Sequence, residues 1–379
     1  MEAIPLSLYV HLPWCVRKCP YCDFNSHALT DIPETEYVDA LIADLEQALP
    51  GIWGRPVHSI FMGGGTPSLF SPEAIARLLQ EIRIRLRLLP DTEITMEANP
   101  GTVEQGRFNG FHEAGINRLS LGVQSFNDGM LKSLGRIHNS LDAHHAIEIA
   151  RKAGFDNLNL DLMFGLPEQT LQQAREDLAA ATGHQPEHLS YYQLTIEPNT
   201  LFHHTPPLLP VDDLVWDMQQ AGIEALGQQG FQRYEVSAYA QVGYTCRHNR
   251  NYWEFGDYIG IGAGAHSKIS DLGEHTIQRI WKHRQPDQYL HKSANSYISG
   301  SETLLKENLP FEFMLNALRL IHGVDRKLFP QRTFLPLDTI SPTLQALSEE
   351  GLVESSADHL VATPLGQQFL NDVISRFIP

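Results

Sequence analysis

The run Leu6-Ser-Leu-Tyr-Val-His-Leu12, followed by Pro13-Trp14-Cys15-Val-Arg-Lys-Cys19-Pro-Tyr21-Cys22, carries an apolar segment straight into a loop with three cysteines in eight residues. The C-x3-C-x2-C spacing gathers three thiolates and supplies no fourth. An ordinary iron–sulfur cluster takes four cysteines. Three on a four-iron cube leave one iron without a protein ligand, and an open coordination position marks a reactive metal site. The spacing alone leaves an alternative: three Cys with His11 or His27 binding zinc tetrahedrally.

Outward from this loop, short apolar runs alternate with helix-period segments across the first two hundred residues. Strands are expected at Leu6–Leu12, Val57–Met62, Glu93–Glu97, Arg118–Val123, Asn157–Met163 and Leu189–Leu194. Val38, Leu41, Ile42, Leu45 and Leu49 form one helical stripe; Ile75, Leu78, Leu79, Ile82 and Leu86 form another, opened by Ser71 and Pro72. Thr170 and Gln173 are placed as a capping box, and Gly154 as a helix stop. Repeated βα units imply an α/β fold with a parallel sheet. Each expected strand ends in polar or glycine chemistry: the cysteine loop, Gly63-Gly-Gly65-Thr66-Pro67, Glu97-Ala-Asn99-Pro100, Gly122-Val-Gln124-Ser125, Asp161 before Gly165-Leu-Pro167, and Gln193 to Thr195. A barrel gathers all such ends on one face, whereas an open sheet gathers only those at its switch point. A curved, TIM-like partial (βα)6 barrel over residues 1–200 is therefore expected.

Residues 201–304 read as a connecting segment, starting with Thr205-Pro-Pro-Leu-Leu-Pro210 and a helix near Asp212 to Gln229. Tyr258-Ile-Gly-Ile-Gly262 reads as strand or glycine-rich turn. Residues 305–379 read as helices plus one hairpin, with arms at Val353-Glu354 and His359-Leu-Val361, in a small winged-helix-like module. It carries six Lys or Arg against nine Asp or Glu, which suits packing or protein contact over DNA binding.

Composition bounds the function. The chain has 379 residues and a formal charge of −17, against a nucleic-acid surface. Four cysteines, three on one loop, suit a reducing cytoplasm over a disulfide framework. No signal-peptide pattern and no apolar run of bilayer length are seen, so an integral membrane protein is not expected.

The cysteine spacing resembles that of the radical S-adenosylmethionine (radical SAM) family. That resemblance implies a [4Fe-4S] cluster on Cys15, Cys19 and Cys22, whose open iron chelates the amino and carboxylate groups of SAM. One electron then splits a C–S bond, giving methionine and a 5′-deoxyadenosyl radical. The ordered set is more specific still: Tyr9-Val-His11-Leu-Pro13-Trp14-Cys15, the GGGTP run, Glu97, Gly122-Val-Gln124-Ser-Phe126, Arg136 and Asp161-Leu-Met-Phe-Gly165-Leu-Pro167. Over nearly the whole chain it resembles the oxygen-independent coproporphyrinogen III dehydrogenases (HemN type) and their relatives, the HemW heme chaperones. The resemblance implies SAM contacts at Tyr9, Tyr21, Gly64, Gly65, Thr66, Glu97, Gln124, Arg136 and Asp161. Arg136 suits a carboxylate through its planar fork. A bland alternative is a buried Arg136–Glu97 pair.

Two departures set this chain apart from the dehydrogenases. They carry another Cys two residues after the third, where Phe24 stands here. They also have several dozen residues ahead of the first strand, which here starts at about Leu6. His248-Asn-Arg-Asn-Tyr252-Trp253 matches the HNxxYW motif of the chaperone group. It implies heme ligation by His248, with Tyr252 and Trp253 offering flat faces to the macrocycle. His266 and Cys246 are further candidates; the alternative for the motif is a packing loop. The resemblance implies a protein that binds heme as cargo and delivers it to apo-hemoproteins. An electron donor and a homodimer are open as partners, no catalytic residue is assigned, and porphyrinogen oxidation is the second function carried forward.

Overall fold

The computed structural model describes residues 4–29, 31–102, 105–291, 296–356 and 358–379. The six expected strands form: Leu6–Leu12 (β1), Pro56–Gly64 (β2), Arg87–Ala98 (β3), Arg118–Gln124 (β4), Leu158–Phe164 (β5) and His188–Gln193 (β6). They lie side by side in chain order, every neighbouring pair parallel. Val10 stands opposite Met62, and Met62 opposite Met96, so the C-terminal ends of β1 to β3 open level with one another. That register brings the cysteine loop, the glycine run and Glu97 to one rim.

Helices cover the outer face for the reasons their sequences give. Glu34–Ala48 buries Tyr37, Val38, Leu41 and Leu45, and Pro72–Arg85 buries Ile75, Leu78, Leu79 and Ile82. Each such aliphatic side chain contributes roughly 1.5–3 kcal/mol on burial. The Ser71 hydroxyl accepts the Ala74 N–H at 3.2 Å. Thr170 and Gln173 cap reciprocally, at 3.3 and 2.9 Å. Gly154 sits at φ +92° just past the helix Ser140–Lys152.

The sheet is larger than the sequence suggests. Beyond β6 it continues antiparallel through Ala238–Ala240 to Gln232–Arg233; in chain order Gln232–Arg233 is β7 and Ala238–Ala240 is β8. On the other side Asp257–Ile261 (β9) pairs parallel with β1, so seven parallel strands stand in a row. His266–Asp271 (β10), Thr276–Lys282 (β11) and Ile298–Thr303 (β12) extend that edge antiparallel. The full order is β12-β11-β10-β9-β1-β2-β3-β4-β5-β6-β8-β7, an open sheet and thus a partial barrel. β9 is only five residues and includes Gly260. Its own pattern is too short to declare a central strand; the β1 edge recruits it.

The C-terminal module packs helices Leu309–Ala317, Leu328–Thr333 and Ser341–Glu349 against a small sheet of Val324–Asp325 (β13), Val353–Ser355 (β14) and His359–Ala362 (β15), ordered β13-β15-β14. The expected hairpin forms, with Val353 opposite Ala362. Its core of Phe313, Phe329, Leu344 and Leu347 runs on into Tyr234, Ala238, Phe255 and Ile277. Arg319 bridges to Glu235 at 3.1 Å and lies 4.3 Å from the centre of the Trp253 ring. Among the described residues, no helix is long and apolar enough to cross a membrane.

Candidate functional site

At the C-terminal rim, a cavity of about 340 Å³ is lined by Cys15, Cys19 and Cys22 together with Tyr21, Gly64, Gly65, Thr66, Glu97, Gln124, Arg136 and Asp161. Of the residues expected to contact SAM, Tyr9 alone falls outside it. Its ring lines the neighbouring cavity, and its hydroxyl meets His11 Nδ1 at 3.0 Å.

The cysteine loop is held from both ends. Trp14–Cys15 pairs with His27–Ala28, and the Asn25 amide donates to the carbonyls of Ala263 and Arg284 at 2.9 and 2.8 Å. The Thr66 hydroxyl donates to Cys15 Sγ at 3.4 Å, and an Arg136 N–H to Cys19 Sγ at 3.7 Å. All three thiols are free of disulfides. Burial raises the Cys15 and Cys22 thiols, and thiols that bind metal must give up their protons. Among the described residues no three His, Cys, Asp or Glu side chains converge on a single ion. His11 has both ring nitrogens engaged, by Tyr9 and by the Asn25 carbonyl. Three thiols lining one cavity, with the His11 imidazole committed elsewhere, suit a cluster with an open iron.

The same cavity is lined by two half-buried acids, Glu97 and Asp161. Burial first, and then the Asp161 carboxylate, push Glu97 up to about 8 despite the Gly64 N–H donating to it at 3.2 Å. Burial also raises Asp161, opposed by hydroxyl and amide donors from Ser190, Asn159 and Ser120, two of which lie at 2.8 and 3.0 Å. A cationic ligand relieves both. Arg136 donates to the Gly122 carbonyl at 2.7 Å, and its buried Nε has no partner. No salt bridge joins Arg136 and Glu97 among the described residues, so the bland pairing is not what holds either one. An unspent guanidinium N–H beside thiols and carboxylates fits a ligand carrying both charge signs, as SAM does.

Two positions adopt left-handed backbone, one at a strained non-glycine and one at a glycine. Gln124 lies at φ +68°, uncommon for a non-glycine, and its side chain accepts the Tyr192 hydroxyl at 2.7 Å. Gly64 lies at φ +105°, where a Cβ would stand 2.2 Å from the His11 ring. Tyr192, Ser120, Ser190, Arg17 and Ser26 also line the cavity, beyond the residues that the sequence singles out. Ser120 and Ser190 point the same way as Asp161 by register, Ser190 standing directly opposite it. The strand-end rule extended to inward alternation would have found them.

A second, larger cavity of about 710 Å³ adjoins the first and shares Phe24, Gly64 and Glu97 with it. Tyr252 lies in its wall, edge-on to Tyr258 at 4.6 Å. His248 does not line it. The ring is buried, stacked on Phe61 at 5.1 Å, with Nδ1 at 3.0 Å from the Ser59 hydroxyl and Nε2 at 3.2 Å from the Tyr252 hydroxyl. Burial first and the Arg118 charge second lower it to about 3, so it is a neutral, fully bonded imidazole. Trp253 packs on the C-terminal core under Arg319. Cys246 is buried and donates to Glu93 at 3.4 Å. In this conformation the motif brings one of its three expected heme residues, Tyr252, to a cavity. Helix Arg247–Trp253 is instead anchored by Glu93, which accepts the N–H groups of Arg247 and His248 at 3.1 and 3.2 Å.

With this geometry in hand, the likenesses to known proteins are specific. The profile described as Radical SAM superfamily matches residues 9–181, and the HemN C-terminal domain matches residues 304–369. The chain is 47% identical to the heme chaperone HemW of Haemophilus influenzae over 99% of its own length and 98% of that protein's. It is 48% identical to the heme chaperone HemW of Escherichia coli, again over 99% and 98%. Among solved structures, coproporphyrinogen III oxidase (HemN) from Escherichia coli, a radical SAM enzyme, superimposes with a TM-score of 0.83 at 25% identity, covering 99% of this chain and 90% of that one.

Proposed function

The chain belongs to the HemW family of radical SAM proteins, and from that premise we propose that it binds heme next to a [4Fe-4S] cluster and SAM, and hands the heme to apo-hemoproteins. One observation carries the reading: a three-thiol cavity and a larger, aromatic-walled cavity adjoin and share a wall. A cofactor-sized ligand fits cavities of roughly 300–1,000 Å³ with few polar groups among apolar ones.

Cys15, Cys19 and Cys22 would hold the cluster. When bound, it would supply single electrons and one iron open to the amino and carboxylate groups of SAM. The chain's own residues then have distinct tasks. The Arg136 guanidinium would take the SAM carboxylate through its unspent N–H. Glu97 and Asp161 would face the ribose and the cationic groups, Glu97 giving up its proton as it does so. Gln124, fixed by Tyr192, and the backbone of Gly64, Gly65 and Thr66 would shape the remainder, with Tyr21 and Tyr9 bounding the site. In the larger cavity Tyr252 would face the macrocycle, and His248 would hold Tyr252 through its hydroxyl.

The recipients are apo-hemoproteins, and the cytoplasm is the proposed compartment, supported by the reduced cysteine usage. An electron donor and self-association remain open roles for partners. Porphyrinogen oxidation stays as a second reading because eight of the nine expected SAM contacts share the thiol cavity and the HemN likeness spans the chain. One assay separates them. Anaerobic, cluster-reconstituted protein should bind hemin with a shifted Soret band, transfer it to an apo-hemoprotein, and yield no protoporphyrinogen from coproporphyrinogen III. Sustained turnover to protoporphyrinogen would overturn the chaperone reading.

A further inference from the structure

The heme reading leaves open where the macrocycle sits and which side chain takes the iron. Iron needs a ligand atom whose lone pair is not already committed. Two imidazoles line the 710 Å³ cavity, His11 and His266. His11 is committed at both nitrogens. So is His248, which is buried behind Tyr252. Cys246 is sealed against Glu93, and burial pushes its thiol up to about 12. His266 is exposed, opens β10, and makes no ring hydrogen bond among the described residues.

The surroundings of His266 are built for a flat apolar group. It stands directly opposite Trp281 on β11, so imidazole and indole are cross-strand neighbours on one face. Trp281 in turn stands opposite Gly300 on β12, where a Cβ would come within 2.4 Å of the indole. Only glycine lets the ring lie there. Tyr252 and Tyr258 form the adjoining wall. Charge at the rim is equally selective. Lys282 is spent on Asp44, whereas Arg284 is exposed and makes no ion pair among the described residues. A planar guanidinium at the mouth matches a propionate carboxylate.

Resting on the heme-chaperone reading, we infer that the heme seat is this cavity, with His266 as the iron ligand, Trp281, Tyr252 and Tyr258 against the macrocycle, and Arg284 on a propionate. His248 is a positioning residue that holds Tyr252 from behind. The seat shares Phe24 and Glu97 with the SAM cavity, so cargo and cluster are neighbours.

Hemin titration of the anaerobic, cluster-reconstituted full-length protein tests this, read by difference absorption and by EPR of the ferric heme. His266→Ala removes an exposed ring and should leave the fold intact. It should weaken hemin binding at least about tenfold and erase the histidine-ligated signature, with exogenous imidazole restoring the spectrum. His248→Ala should keep the ligand signature while weakening binding less. Unchanged affinity and spectrum in His266→Ala, or loss of histidine ligation in His248→Ala alone, overturns the assignment and leaves the chaperone reading standing. Wild-type protein that takes up no hemin overturns both.

Discussion

The two adjoining cavities share Phe24, Gly64 and Glu97, yet they are built differently. The thiol cavity is made at the ends of six consecutive parallel strands, each delivering polar groups to one rim. The aromatic cavity is closed by β9 to β12, which arrive from residues 257–303 and join β1 across more than two hundred residues of chain. The first concentrates ionisable groups: two acids, three thiols and one incompletely bonded guanidinium. The second has its buried Lys282 spent on Asp44 and offers rings instead. A reactive site needs fixed polar geometry, whereas a site that must release its cargo is better served by flat apolar contact.

The largest expected effect separates the cavities completely. Cys19→Ser should reduce iron and acid-labile sulfide from near four per chain to near zero, while circular dichroism shows a folded protein and hemin still binds. Loss of fold together with the cluster would make the thiol cavity structural. Gly64→Ala strikes the shared wall. Its φ of +105° and the 2.2 Å approach to His11 should cost about 2–4 kcal/mol of stability in thermal melts, from backbone strain plus overpacking.

Glu97→Gln sharpens the electrostatic half of the comparison. In the ligand-free protein the Glu97 carboxyl keeps its proton up to about pH 8. A cationic ligand favours the ionised form, so SAM affinity should climb by up to about tenfold per pH unit below 8 and then level off. Calorimetry in buffers of different ionisation heat should count near one proton released per SAM at neutral pH, and near none in Glu97→Gln. The same raised value means the folded chain holds this proton more tightly than the unfolded one. That stability is full below about 4.5 and lost as pH rises through about 8, and Glu97→Gln should flatten the slope. The smallest effect is expected from Ser59→Ala, which removes the 3.0 Å contact to His248 Nδ1. It should cost about 1–2 kcal/mol of stability and leave SAM binding unchanged.

These differences also explain what could be read from sequence. β1 to β6 are apolar-rich runs bounded by turn residues, and their ends carry chemistry within a few residues, so fold and thiol cavity are both legible locally. β9 is short and β12 is almost wholly exposed, so neither declares itself as part of the large sheet. The aromatic cavity exists only once they pair. His248 shows the same limit from the other side: a motif names residue types, but burial by Ser59, Phe61 and Tyr252 decides that its imidazole is spent. Tyr9 likewise turns into the larger cavity because its hydroxyl is claimed by His11.

The adjacency of the two cavities is best tested by loading both. In protein carrying a reduced cluster together with a paramagnetic metalloporphyrin such as hemin, EPR should show spin–spin broadening and faster relaxation of the cluster signal, removed when diamagnetic zinc protoporphyrin replaces hemin. A cluster signal indifferent to bound hemin would place the cargo elsewhere on the molecule and contradict the shared wall on which this account depends.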